Sequence, residues 1–117
     1  MAEYLWDGGE SERVFRISGA LTVREAGELK AALAKAFEEE ERIEVDLSSV
    51  TGADLSALQL FCSAHRTSKR TNKLFGLKDG ISASFKRDVR RAGFSRKRGC
   101  ILDTDDQCIW KEDQFRE

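Results

Sequence analysis

Between Ile43 and Cys62 the chain changes its hydrophobic period without losing hydrophobicity, and this restricts the possible folds more than any other feature. Ile43, Val45 and Leu47 alternate with charged neighbours, as in a short strand with a buried face that ends near Val50. Thr51-Gly52-Ala53 then reads as a turn. Asp54 stands as an N-cap before Leu55, Ala57, Leu58, Leu60, Phe61 and Cys62, which are apolar nearly all the way round a helix running to about Lys69. That first half of the helix is expected to be buried. A strand that feeds such a helix needs a further parallel strand beyond it, reached by a right-handed crossover.

The flanking sequence supplies the other elements. Glu3 to Trp6 and Arg13 to Ser18 have β character and are separated by a turn, Asp7 to Glu12, that contains Gly8-Gly9, so the chain is expected to open on a hairpin. Thr22-Val-Arg-Glu25 has the form of a capping box, and Val23, Ala26, Leu29, Ala32, Leu33, Ala36 and Phe37 follow at helical spacing up to the acidic run Glu38 to Glu41. Leu74 to Leu77 reads as a buried strand with Lys78-Asp-Gly80 as its turn. Ser82 can cap a third helix with Phe85, Val89 and Ala92 on one face, Lys86, Arg87, Arg90 and Arg91 facing solvent, and Gly93 as its stop. Cys100 to Leu102 and Cys108 to Trp110 could form a hairpin or a bent last strand, with 111–117 a loose tail.

A chain of 117 residues with this order is expected to form one α/β domain with its core over about 13–95. The expected sheet has four or five strands, is mostly parallel with an antiparallel N-terminal strand, and carries its helices mainly on one face. Met1 to Gly9 has no signal-peptide pattern, and the uncharged run Leu55 to His65 falls short of the roughly 20 apolar residues that span a bilayer. No membrane insertion is expected, and the expected location is the cytoplasm. Three cysteines, Cys62, Cys100 and Cys108, leave one unpaired in any scheme, which fits free thiols in a reducing compartment.

Charge is unevenly spread. From Arg66 to Arg98 there are 12 basic residues against Asp79 and Asp88, although the whole chain is near neutral at −1. Such an asymmetry can steer charged partners.

Taken in order, several segments resemble the STAS domain, named for sulfate transporters and anti-sigma factor antagonists. Arg16-Ile-Ser-Gly-Ala-Leu-Thr22 before an amphipathic helix resembles that family's early strand-to-helix segment. Asp46-Leu-Ser-Ser-Val-Thr51 followed by Asp54-Leu-Ser-Ala-Leu58 resembles its signature of a D-L-S-x-V strand and a D-S-S-G-L or D-S-T-G-L helix start. Ile81-Ser82 with Phe85-Lys86-Arg87 and Gly93 resembles the opening of its last principal helix. The resemblance spans about Val14 to Phe94.

The resemblance implies a non-enzymatic signalling adaptor of the anti-sigma factor antagonist type. It would dock a regulatory protein, either a kinase-like anti-sigma factor or a component of a chemosensory or two-component pathway, through Thr51, Gly52, Ala53, Asp54, Leu55 and Ser56. Two other roles fit the same resemblance: a subunit that binds the ATPase of a membrane transport complex, and a sensor domain that binds a nucleotide or lipid. In members switched by a kinase the phosphorylated Ser or Thr directly follows the capping Asp. Here that position is Leu55, which has no hydroxyl. Ser56 is the nearest one, but its side chain lies about 100° further round the helix. Ser56 reads first as an unmodified packing residue and alternatively as a phosphorylation site, where a phosphate would meet the free amides of the first turn and add about −2 charge beside Asp54. Asp54 itself can serve as a helix cap alone or as a cap that also shapes the docking surface.

Other constellations carry less. Cys62, His65, Cys100 and Cys108 are zinc-ligand types without a C-x-x-C knuckle, and Cys62 falls on the apolar face. Asp103, Asp105 and Asp106 imitate a calcium loop but lack its glycine and terminal glutamate. No metal and no cofactor is expected. The basic stretch Lys86 to Arg98 reads as a solvated face, and no nucleic-acid partner is expected. A lone His65 without a nucleophile, a phosphate loop or paired acids offers no catalytic constellation, so the expectation is a protein that is not an enzyme.

Overall fold

The computed structural model describes residues 3–7, 14–94 and 109. Strand β1 (Glu3–Asp7) runs antiparallel to β2 (Val14–Leu21); β3 (Arg42–Ala53) lies parallel to β2, and β4 (Leu74–Leu77) parallel to β3. The spatial order β1-β2-β3-β4 is the sequence order. Helix α1 (Ala26–Glu39) connects β2 to β3, α2 (Leu55–Thr71) connects β3 to β4, and α3 (Ala83–Arg91) follows β4. When consecutive parallel strands are also neighbours, crossovers of one hand place their helices on one face. Consistent with this, α1 packs on α2, and Phe61 of α2 meets Phe85 of α3 edge-on with ring centroids 5.9 Å apart.

The expected α/β sheet with an antiparallel first strand is therefore present, here with four strands among the described residues. The turn at 8–13 and the extra strand or hairpin expected over 96–110 lie outside the described residues, apart from Ile109, which is buried in the core. The expected tail, 111–117, lies outside them as well. Among the described residues no helix is long and apolar enough to cross a membrane.

The core lies between helices and sheet. Ile17 and Leu21 from β2, Ile43, Val45, Leu47 and Val50 from β3, Leu29 and Leu33 from α1, Leu58 and Phe61 from α2, and Phe85 and Val89 from α3 are all buried. Phe37 of α1 reaches Phe75 of β4 at 5.8 Å between rings, and Tyr4 stacks on Phe15 at 6.1 Å, so both edge strands are tied in by aromatic contacts.

Several expectations need correction. The strand expected to end near Val50 continues to Ala53, so Thr51-Gly52-Ala53 is strand and not a turn. The reason is irregular pairing: the register between β2 and β3 slips between Arg16 and Ser18 and again between Gly19 and Ala20, and β3 absorbs the unpaired residues as bulges while staying in the ladder. β2 likewise continues past Ser18 to Leu21, paired with β3 to its end. Val23 was expected on the core face of the first helix but is 67% exposed, because Val23–Glu25 forms a 3-10 turn ahead of α1 and holds Val23 outside the helical stripe. Leu55 was expected to be buried but is 52% exposed; Leu60 and Cys62 are only partly buried. Only the face of α2 carrying Ala57, Leu58, Phe61 and Ala64 meets the core. Ala92 lies just past the end of α3 and is exposed. The strand expected to be buried at Leu74 to Leu77 is the sheet's edge strand among the described residues, with Phe75 buried and Leu74 48% exposed.

The helix ends follow their sequence signals. Thr22 and Glu25 form the expected capping box, with the Thr22 N–H donating to Glu25 Oε2 at 3.1 Å. Ser82 Oγ accepts from the Phe85 N–H at 3.1 Å at the start of α3. Gly93, at φ +76°, closes that helix as the Phe94 N–H returns to the Val89 carbonyl at 3.1 Å, a left-handed geometry that costs glycine little.

On the sheet face away from the helices, Asp46 pairs with Arg16 at 3.4 Å, and its Oδ1 accepts the Ser48 N–H at 2.9 Å. Burial pushes the Asp46 carboxyl up. The Ser48 hydrogen bonds and the Arg16 charge outweigh that and hold it below the usual carboxylate range.

Candidate functional site

The C-terminal ends of β2 and β3 lie side by side, Leu21 paired with Ala53, and each strand feeds a helical segment at once. Two helix starts therefore share one corner of the molecule. The Asp54 N–H donates to the Leu21 carbonyl at 3.0 Å, which fixes the crossing point.

Asp54 links the two starts through both carboxylate oxygens. Its Oδ1 accepts the Ala57 N–H at 3.3 Å, the N-cap bond of α2. Its Oδ2 accepts the Val23 N–H at 2.7 Å, 31 residues away in sequence, which satisfies a free amide of the 3-10 turn. Asp54 is thus the cap of α2, and it also holds a second segment in place.

A second carboxylate holds the corner from another side. Asp88 of α3 accepts the Ala53 N–H on its Oδ2 at 2.9 Å, while its Oδ1 takes the Arg87 Nε at 3.2 Å. A β-carbon added at Gly52 would lie 3.3 Å from that same Oδ2, so a glycine here allows α3 to approach the strand closely. Sequence reasoning missed Asp88, which it counted only as an acid within a basic stretch. Nothing in its flanking residues signals a bond to an amide 35 positions earlier.

With the backbone held at Leu21, Val23, Ala53 and Ala57, the apolar side chains of Val23 and Leu55 stand exposed at adjoining helix starts. Thr51 is exposed, whereas Gly52, Ala53, Asp54 and Ser56 are half-buried. Thr51 to Ser56 are consecutive in the chain; the fold adds Val23 and Asp88 to them, and Leu55 is the most exposed apolar group among the six. Ser56 is partly shielded in the first turn of α2.

The thiol of Cys62 is free and half-buried on α2, and His65 is buried one turn on. Cys100 and Cys108 lie outside the described residues. Among the described residues no cluster of three or more His, Cys, Asp or Glu side chains could hold a metal ion.

Comparison with known proteins places this geometry in context. A family profile described as "Mlab, STAS domain" matches residues 7–103. No curated protein matches the sequence. Among solved structures, an anti-sigma factor antagonist from Mycobacterium paratuberculosis aligns with a TM-score of 0.65 at 19% identity, covering 80% of this chain and 79% of that one. An anti-sigma factor antagonist described as putative, from Thermotoga maritima, aligns with a TM-score of 0.62 at 14% identity, covering 77% and 78%. The anti-sigma factor antagonist SpoIIAA in its unphosphorylated form aligns with a TM-score of 0.53 at 17% identity, covering 64% and 71%. At these identities the structural likeness concerns the fold, and it agrees with the profile match over most of the sequence. The chain belongs to the STAS-domain family.

Proposed function

We propose that this domain is a non-enzymatic signalling adaptor that docks a regulatory protein through the corner formed by Val23, Thr51 to Ala53, Asp54, Leu55 and Ser56. The observation that carries the reading is the joining of two exposed apolar side chains, Val23 and Leu55, at helix starts that one carboxylate holds together. Single exposed apolar side chains are ordinary on protein surfaces; what supports docking here is that two of them adjoin on a backbone that the Asp54 carboxylate holds in place. The names of its structural relatives, anti-sigma factor antagonists, support a protein partner of the regulatory kind.

Leu55 makes the docking independent of a phosphate at the position after the capping aspartate. The corner is ready to bind at all times, as suits a constitutive adaptor in a chemosensory or two-component pathway. A phosphate on Ser56 would instead put about −2 charge against the free amides of α2 and beside Asp54, and close the corner to an apolar partner. A constitutive corner would equally serve a subunit bound to a transport ATPase.

Affinity capture from the source cells tests these readings, with the native chain, Leu55→Glu and Asp54→Ala as baits. A sensor kinase, receptor assembly or anti-sigma factor held by the native chain and lost with Leu55→Glu supports the adaptor; an ATPase lost in the same way supports the transport subunit. Equal capture by all three baits contradicts docking at this corner. Intact mass measurement of the chain from its native cells shows whether it carries phosphate, peptide fragmentation assigns any phosphate to Ser56 or elsewhere, and a persistently unmodified chain contradicts a switch there.

A further inference from the structure

The carboxylates of this corner are all engaged within the fold, whereas two of its three guanidinium groups pair with no carboxylate among the described residues. Asp54 is occupied by the Val23 and Ala57 amides, Asp88 by the Ala53 amide and Arg87, and Glu25 by Thr22. Arg24, next to Val23, is exposed, and so is Arg91, one turn beyond Asp88 on α3; among the described residues no carboxylate pairs with either. Arg87, also exposed, is held at the corner by its bond to Asp88. Topology brings these groups from two directions, Arg24 from the end of β2 and the α3 arginines from the element after β4.

From this arrangement we infer that the docking corner recognises an acidic protein surface: an apolar contact for Val23 and Leu55 rimmed by Asp or Glu side chains that meet Arg24, Arg87 and Arg91. The inference rests on the docking reading above and names the chemistry of its partner. Arginine at the rim of an apolar patch suits a protein carboxylate, which it can bind through two parallel N–H donors. A duplex backbone would leave Val23 and Leu55 against phosphates with no apolar counterpart. Two apolar side chains are far less than the continuous apolar face with which a helix lies in a lipid surface. The rim charges act mainly on encounter, so they set association rate and partner choice while the apolar pair sets residence time.

A displayed random-peptide library panned against the full native chain, with binders that also bind Leu55→Glu removed, provides the test. The expected result is enrichment of Asp and Glu around an apolar anchor. The selected peptides should lose affinity about tenfold for the double variant Arg24→Glu, Arg91→Glu, mostly in association rate, and the effect should shrink as salt rises. Neither arginine makes an ion pair within the described fold, so an unchanged melting temperature should accompany that loss. Leu55-dependent binders without acidic enrichment, or with affinity indifferent to the double variant, would overturn the acidic inference and leave the docking reading standing. A yield of no Leu55-dependent binder would contradict the docking reading itself. A duplex oligonucleotide and phosphatidylglycerol vesicles serve as further probes, and tighter binding of either than of the selected peptides would overturn the proposal.

Discussion

Asp54 Oδ2 and the Val23 amide nitrogen, 31 residues apart in sequence, lie 2.7 Å from each other and tie the start of α2 to the turn that leads into α1. The same carboxylate caps α2 through Ala57. Removing it leaves two helix-start amides without their acceptor. Asp54→Ala is therefore expected to lower stability by about 1–2 kcal/mol, the range of a strong cap, without unfolding the domain. Amide hydrogen exchange should quicken at Val23 and Ala57 together. Quickening at Ala57 alone would show that the bond to Val23 contributes nothing.

Leu55 and Leu58 are both leucines of the first turns of α2, but one is 52% exposed and the other 1%. Leu55→Glu should change stability by no more than about 0.5 kcal/mol, as surface replacements do. Leu58→Ala should cost about 2–5 kcal/mol through the cavity it leaves beneath the sheet. Denaturant melts of the two variants make the comparison, and a large loss for Leu55→Glu would place that side chain in the core.

Gly52 and Asp88 form a coupled pair. Gly52→Ala would set a methyl 3.3 Å from the carboxylate oxygen that holds the Ala53 amide, and is expected to cost about 1 kcal/mol. In the Asp88→Ala background that crowding is absent, so the Gly52 substitution should become nearly neutral. A double-mutant cycle measures this, and strict additivity would dissociate the glycine from α3.

Asp46 supplies the pH dependence. The Ser48 hydrogen bonds and the Arg16 charge hold its folded-state pKa below the ordinary value near 3.8 in spite of burial. A depressed carboxylate contributes stability that is fully present above the ordinary value and is lost as pH falls through the lower, folded-state value. Glu25, lowered by its hydrogen bonds with Thr22, acts in the same sense. The domain should therefore lose stability below about pH 4. Asp46→Asn should be less stable at neutral pH and show a shallower loss on the acid side; an acid limb unchanged by that substitution would assign the loss to other groups.

What the sequence made legible was local. The alternation of Ile43, Val45 and Leu47, the cap at Ser82, the bounds of the strand Leu74–Leu77, though not its burial, and the glycine stop at Gly93 are each encoded within a few residues and stand where the pattern places them. The corner was legible only in part. Asp54 was readable as a cap, but its bond to Val23 and the bond from Asp88 to Ala53 depend on which strand ends become neighbours, and no local period carries that information. The bulges in β3 arise in pairing with β2, so Thr51-Gly52-Ala53, with turn-like residues, was read as a turn although it remains in the ladder. The exposure of Val23 and Leu55 was hidden for a related reason. Hydrophobicity predicts burial only one way, because much of any folded surface is apolar, and which apolar residues stay outside depends on how the elements pack.

The measurement that bears most directly on the central claim is the affinity of Val23→Glu and Leu55→Glu for the protein captured by the native chain, taken together with the melting temperature of each variant. The account predicts that both variants melt like the native domain and that each loses at least about thirtyfold in affinity, the size of a hot-spot loss. Native affinity in both variants, with the fold intact, would contradict it.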